Sequence, residues 1–494
     1  MRKHLTRADA PKCIPGEPRD ASWGVAGGLD RGAAPVAVAW AAMRLATLFR
    51  ALVLPTCAFL GGACASTLSG AGGRVAQGDT PFAAVEQLGR VLVEVENDYV
   101  DPVDRARLVD GAIKGMVAEL DPHSSYMPAE EFQAFESDTE GQFGGIGVEV
   151  ESKGDQLIVL APIEGSPADR VGIQSGDYIV GVDGKDPGAV PLDKLVKQLR
   201  GAPGSHVRVA YRRHGEGEAI VVDLVREIVH VPSVASKLLV GRVAYLRVKQ
   251  FQERTHDELL AAIAGLRAKS GGKLVGVLLD LRADPGGLVD QAADVADEFL
   301  DDGIIYTTRH RGQIIDEVKA HGGGALTGEP CVVLVSQWTA SASELVAGAL
   351  QDHKRATIVG EPTFGKGSVQ AILSLPNGAG MRLTVARYYT PNGRAIQADG
   401  VHPDVMVETQ KDEPVAFREQ DLEGHLAAQP GAPAASGARP ATVVVLPGDA
   451  GTLSPDSNRR EANVAEDPEA GLDATLKVGW RVLQRVMKGE PPAP

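Results

Sequence analysis

The chain has 494 residues, 44% hydrophobic and 23% charged, with 50 Lys or Arg against 65 Asp or Glu and a net charge of −15. That composition excludes a chain disordered throughout and supplies apolar material for several folding units. The first 65 residues hold eight of the basic residues and four of the acidic ones, so the remainder is strongly acidic, which argues against a nucleic-acid partner.

Arg44 and Arg50 precede the apolar run Ala51 to Gly62 and the small triplet Ala63-Cys64-Ala65. A basic stretch, a short apolar stretch and an A-x-A site form a secretory signal. Residues 1–65 are read as an N-terminal extension with a signal segment, and the body is expected in the periplasm or cell envelope. A lipid on Cys64 or an uncleaved N-terminal helix is the alternative anchor. The apolar run is too short and too interrupted by Arg for a span of about 20 residues. Cys13, Cys57 and Cys64 fall in or beside this leader, leaving Cys331 alone in the body, without a disulfide partner or a thiolate metal site. Its strand-like context, Cys-Val-Val-Leu-Val, predicts a buried, inert thiol.

Residues 81–137 show helical spacing in Phe82, Val85, Leu88 and Val91, then Leu108, Ile113 and Met116. At Gly141 the period changes. Across 141–228, short alternating runs (Ile146 to Val150, Leu157 to Ala161, Tyr178 to Val182, Val207 to Tyr211) lie between Gly, Pro and Asp turns, with one helix at Leu192 to Leu199, predicting a compact β-rich module. Across 229–408, strand and helix alternate: Val243 to Val248, Asp257 to Leu266, Leu274 to Leu281, Leu288 to Phe299, Val332 to Val335 and Ser343 to Leu350. This predicts an α/β layer with a largely parallel sheet. Strands return at Ser368 to Leu375 and Met381 to Tyr388. Residues 409–460, rich in Ala, Pro and Gly, read as a linker, and 461–494 as a C-terminal helical segment with Leu476, Trp480 and Leu483 on one face.

Ser341, in Thr339-Ala340-Ser341-Ala342-Ser343-Glu344, follows a strand and opens an apolar helix. Ser341-x-x-Glu344 fits a helix capping box. A serine at such a turn also gains exposure and partial positive charge as a nucleophile, and the local sequence admits both readings. None of the eleven histidines lies in a recognisable partner motif, and His123, in Leu120-Asp121-Pro122-His123-Ser124, reads as structural. Lysine is the other option, and Lys366, in Thr363-Phe364-Gly365-Lys366-Gly367, is flanked by an aromatic residue and two glycines at the mouth of a strand. It must be uncharged to act, which requires burial. Gly360-x-x-x-x-Gly365-Lys366 matches the start of a phosphate loop, but Gly367 replaces its Ser/Thr and a strand follows where a helix should. Asp280-Leu281-Arg282-Ala283-Asp284-Pro285-Gly286-Gly287 ends a strand in a turn whose glycines permit close backbone approach.

Together these stretches, with Tyr99-Val100-Asp101, Gly144-Gly145-Ile146-Gly147-Val148 and Tyr389-Thr390-Pro391-x-Gly393-Arg394, resemble the C-terminal processing (tail-specific) peptidases from about Phe82 to Val407. The resemblance implies a multidomain α/β protease core with a partly parallel sheet, an inserted PDZ domain and a helical N-terminal region. It implies Ser341 as nucleophile, Lys366 as general base and Gln370 as its orienting partner. Backbone N–H groups of Ala342 and of the Gly286/Gly287 pair, Gly287 preferred, are the implied oxyanion donors. Gly144, Gly145, Ile146, Gly147 and Val148 resemble the carboxylate-binding loop of a PDZ domain, which captures a peptide tail as an added strand; alone they fit a glycine-rich hairpin. Later matches, Ser166-Pro167-Ala168 and Leu199-Arg200-Gly201, favour PDZ. Asp284 stands where the family usually has asparagine, Thr339 where it has serine, and Ser336 where asparagine often opens the loop. No metal or cofactor is implied. Expected partners are protein or peptide substrates with free, apolar C-termini, with an adaptor or activator protein and a homodimer as further options. A catalytically silent PDZ scaffold and a peptidase gated by its PDZ domain are the rival functional readings.

Overall fold

The change of hydrophobic period at Gly141 marks a change of architecture. The structure, a computed structural model, describes residues 81–153, 156–185, 192–213, 217–409, 417–428, 442–446 and 464–492. The signal segment read from the sequence lies outside them. The chain divides into two units, Met1–Val100 and Asp101–Pro494. In the first, α1 (Pro81–Asp98) leaves Phe82, Val85, Leu88 and Val91 exposed.

The second unit opens with α2 (Arg105–Ala118), capped by the Asp104 side chain on the Ala106 N–H. β1 (Ser125–Met127) and α3 (Ala129–Glu140) follow, and Gly141 at φ 70° ends α3. β1 was expected within a helical unit; it instead pairs with β17 (Gly380–Tyr389), Ser125 opposite Arg382. Its buried Tyr126 joins a small cluster with Val117 and Ala379.

The module 141–228 is a five-stranded antiparallel sheet of β3 (Val148–Lys153), β4 (Gln156–Pro162), β5 (Tyr178–Val182), β6 (His206–Arg212) and β7 (Ile220–Val225). Two helices, α4 (Pro167–Arg170) and α5 (Leu192–Leu199), complete it. Alternate residues of β6, Val207, Val209 and Tyr211, are buried, as a sheet with one solvated face requires. They close on Ile146, Val159, Ile179, Leu195 and Leu224. Separately, β2 (Gln142–Gly145) pairs with β8 (Glu227–His230), tying the two ends of the module together.

The α/β core holds a seven-stranded sheet in the order β19 (Thr442–Leu446), β18 (Val405–Thr409), β15 (Ala356–Gly360), β14 (Cys331–Val335), β11 (Gly276–Asp280), β10 (Val243–Val248), β9 (Val234–Leu239). All pairs are parallel except β9 with β10. β10, β11 and β14 are buried at every position, because both faces are covered. α6 (Thr255–Lys269), α7 (Val289–Asp297) and α8 (Ala342–Asp352) pack on Leu246, Leu279 and Val333. α9 (Ala474–Met487) packs Leu476, Trp480 and Leu483 on Tyr245, Leu278 and Val332. A second sheet carries β1, β17, β12 (Ile304–His310) and β13 (Gln313–Lys319), with β16 (Ser368–Ser374) also on β17.

The architecture is therefore an α/β core with an inserted antiparallel β module and a helical N-terminal region, the arrangement expected from the sequence. One expectation changes. Residues 409–460 are not linker throughout, because 442–446 extend the main sheet and 417–428, including a one-turn 3₁₀ helix Glu419–Asp421, pack on the core. Cys331 is buried, and burial pushes its thiol up to about 12. Among the described residues no helix is long and apolar enough to cross a membrane, and no cluster of His, Cys, Asp and Glu is arranged to hold a metal.

Candidate active site

Three turns at the C-terminal ends of β11, β14 and β15 converge, where an open α/β sheet gathers its functional groups. Ser341 sits in the β14–α8 turn at φ 57°, ψ −118°, a region that costs a non-glycine residue energy and persists only where its surroundings impose it. Its residual exposure is 9%. The β11 turn presses against it: a Cβ on Gly286 would lie 2.9 Å from Ser341 Cβ and 2.8 Å from Ala342 N, so only glycine allows the approach.

Glu344 joins this turn to the one that follows β15. Its side chain is wholly buried. Oε2 accepts the backbone N–H of Ser341 at 2.8 Å and that of Lys366 at 2.9 Å. Oε1 accepts the Gly365 N–H at 2.7 Å and the Thr363 hydroxyl. The capping glutamate of α8 therefore also clamps the backbone of Lys366 next to that of Ser341. Burial pushes its carboxyl up to about 7 against the pull of these donors.

The Lys366 ammonium is lowered to about 8, first by burial and then by the Arg382 guanidinium, while Glu419, Glu344 and Asp121 oppose the shift. Two of these neighbours come from distant segments. Asp121 holds the loop before β1 by accepting the Ser124 hydroxyl at 2.7 Å and the Thr384 hydroxyl at 3.1 Å. Glu419 is buried and contacts His123 Nε2 at 2.6 Å. It also accepts from Gln397 Nε2 at 2.7 Å, and Gln397 Oε1 accepts the Gly367 N–H at 3.0 Å. Arg418 donates to the Thr363 carbonyl at 2.7 Å. The segment 417–428 thus braces the Lys366 turn from outside. Sequence reading missed Glu419, Gln397 and Arg418; Glu419 is one of several acidic residues in 411–423 and lies in no motif. Glu344 was legible, but only as a cap.

Gln370 donates to Ser368 Oγ at 3.1 Å and, weakly, to Thr384 Oγ1 at 3.5 Å. Among the described hydrogen bonds none joins Gln370 to Lys366 or Ser341 to Lys366. The expected oxyanion donors separate. Gly286 N–H is engaged by Asp284 Oδ1 at 2.9 Å, which corrects its assignment as a donor. Phe251 N–H donates to Gly286 O and Leu288 N–H to Phe251 O, a parallel bridge that uses the residues on either side of Gly287 and leaves its own N–H outside the ladder. Ala342 opens α8, so its N–H has no intrahelical acceptor.

In the inserted domain, a groove is lined by Phe143, Ile146, Val148, Val196, Leu199 and Arg200, among others. Ile146, Gly147 and Val148 of the expected tail-binding loop reach it. Gly144 and Gly145 do not line it: they pair in β2 with Ile228 and Glu227, and Gly144 faces the Gly201 carbonyl where a Cβ would collide. Arg200 lies 4.6 Å over the Phe143 ring.

An α/β core with a serine at a strained strand-to-helix turn beside a buried lysine, joined to a β domain with an apolar groove, is the arrangement of a PDZ-bearing serine protease. Comparison with known proteins agrees. The family described as Peptidase family S41 matches residues 242–407, a PDZ domain matches 158–213, and the Activating protease CtpB N-terminal domain matches 71–131. The carboxy-terminal-processing protease of Bartonella bacilliformis is 41% identical over 352 residues, 70% of this chain and 81% of that protein. The carboxy-terminal processing protease CtpA of Bacillus subtilis is 36% identical over 333 residues, 67% and 70% of the two chains. Among solved structures, a photosystem II D1 C-terminal processing protease is similar at 32% identity, with TM-score 0.41, over 65% of this chain and 86% of that one. The chain belongs to the carboxy-terminal-processing proteases of peptidase family S41.

Proposed function

We propose that the protein is an endopeptidase that cuts exported or envelope proteins near their C-termini with a Ser341/Lys366 dyad, after its PDZ groove has taken the substrate tail. The observation that carries this reading is the Glu344 clamp, whose one oxygen holds the N–H groups of both Ser341 and Lys366 beside a lysine held near 8. At neutral pH roughly a tenth of such lysines are uncharged, against fewer than one in a thousand at an ordinary lysine pKa. Neutral Lys366 takes the Ser341 proton as the hydroxyl attacks the scissile carbonyl, and the N–H groups of Gly287 and Ala342 receive the oxyanion. Collapse expels the leaving amine, which takes the proton, and water activated by Lys366 releases the acyl group. The hydroxyl and amine, not hydrogen-bonded here, close on each other when substrate is bound, as resting sites commonly do. The apolar walls of the groove, Ile146, Val148, Val196 and Leu199, favour a tail ending in an apolar residue.

The test is cleavage of a labelled peptide with an apolar C-terminus. Ser341→Ala and Lys366→Ala abolish cleavage and leave the melting temperature and tail binding in place. Wild-type rates in either variant refute the dyad. An inert wild type that still binds tails favours a silent scaffold.

A further inference from the structure

Asp284 lies in the turn after β11, which carries Gly287, and is hydrogen-bonded to the β14–α8 turn, which carries Ala342. Its side chain is fully buried, and Oδ1 accepts the Gly286 N–H at 2.9 Å, closing the turn across Pro285 and fixing the peptide that leads into Gly287. Its carbonyl oxygen accepts the Ala340 N–H at 3.0 Å and the Ser343 hydroxyl at 3.2 Å, one on each side of Ser341. Its Oδ2 is buried without a hydrogen-bond partner. A bare, buried carboxylate oxygen is far costlier than a neutral acid in the same place.

The nearest charges act on Asp284 in opposite senses, Arg247 favouring its anion and Asp280 opposing it, and burial outweighs both. Arg247 faces it from β10 and Asp280 from the end of β11. Asp280 is bound by Arg282 and by the Tyr245 hydroxyl, and Arg282 is bound in turn by Asp473, the N-cap of α9. Asp280 and Asp473 are thus both paired to Arg282. From α8 the neighbour is the Ser343 hydroxyl, while the bonds of Glu344 go to Ser341 and the 363–366 turn. Burial accordingly pushes Asp284 up to about 8.

We propose that Asp284 is a positioning residue that holds the oxyanion turn as an uncharged acid, and that its ionisation disables the turn by setting a negative charge beside the donors that must receive the oxyanion. The proposal rests on the Ser341/Lys366 reading and adds an alkaline limit to it. Charge that develops in the transition state is stabilised by the Gly287 and Ala342 dipoles; a buried anion one turn away opposes that stabilisation directly.

The experiment is the pH profile of kcat/KM for the labelled peptide with the full chain. Wild type gives a narrow bell, rising as Lys366 loses its proton and falling as Asp284 does. Asp284→Asn keeps the acceptor for the Gly286 N–H and cannot ionise, so the falling limb disappears and the profile levels off. Asp284→Ala loses the acceptor and falls on the order of 10²-fold in kcat at every pH, and Asn restores most of that loss. Affinity for a peptide aldehyde, which forms an oxyanion at the site, declines above neutral pH in wild type and stays level in the Asn variant, while Kd for uncleaved tails does not move. A bell in the Asn variant that superimposes on wild type overturns the proposal. So does a wild-type profile with no falling limb, a measurement that needs no variant to fold. Failure of the dyad reading looks different: Ser341→Ala then cleaves, or the rising limb is missing.

Discussion

Changing Glu344 to Gln preserves size and shape and removes one acceptor from a fully committed carboxylate. Oε1 takes the Thr363 hydroxyl and the Gly365 N–H, and Oε2 takes the N–H groups of Ser341 and Lys366. An amide can face only one pair with oxygen and turns NH₂ donors toward the other. The Thr363 hydroxyl can rotate away, so the least costly choice leaves the amide nitrogen on the Oε1 side, with Gly365 N–H orphaned; the alternative orphans two N–H groups. At about 1–3 kcal/mol for an unsatisfied buried donor, the loss is about 1–3 kcal/mol, a sizeable share of the roughly 5–15 kcal/mol that holds a domain folded. Activity drops further than stability predicts, because the amide loosens the clamp that ties Ser341 and Lys366 backbones to one atom. Urea unfolding and peptide cleavage at about pH 8, above the value near 7 to which burial pushes Glu344, measure both. A Gln variant within about 0.5 kcal/mol of wild type and with unchanged kcat/KM refutes the clamp.

Gly287→Ala combines φ 142° with a Cβ that collides with the Phe251 carbonyl; the turn must shift, and kcat falls on the order of 10²-fold with KM nearly constant in steady-state assays. Asp284 has a folded pKa raised to about 8, so wild type loses stability as pH rises from the ordinary carboxylate range through that value. The melting temperature of Asp284→Asn relative to wild type therefore climbs between about pH 4 and pH 8, and a constant difference across that window contradicts a buried neutral acid. Asp473→Ala leaves the buried Arg282 guanidinium half-paired and removes the cap of α9; breaking a buried pair costs about 3–5 kcal/mol, read by denaturant titration. Trp480→Ala, on the same helix against the sheet, costs a similar about 3–5 kcal/mol.

The sequence alone determined where most strands and helices lie and which residue types carry the chemistry, because hydrophobic period and turn composition are local properties of the chain. Val243–Val248 and Tyr178–Val182 were legible as strands, Leu192–Leu199 as a helix, and Ser341, Lys366 and the Gly286-Gly287 turn as chemical candidates. Tertiary structure decided what no local pattern contains. Glu419 reaches His123 across 296 positions and Asp473 reaches Arg282 across 191, and neither contact leaves a periodic trace. β19 and the 417–428 segment were hidden in a composition typical of linkers and gained structure only from the surfaces they cover. Gly286 N–H is taken locally by Asp284, whereas the placing of Gly287 N–H outside the ladder depended on the Phe251 strand edge arriving beside the turn. A hydrogen bond is a relation between groups brought together in space, so its partners are settled only when the backbone that brings them together has folded.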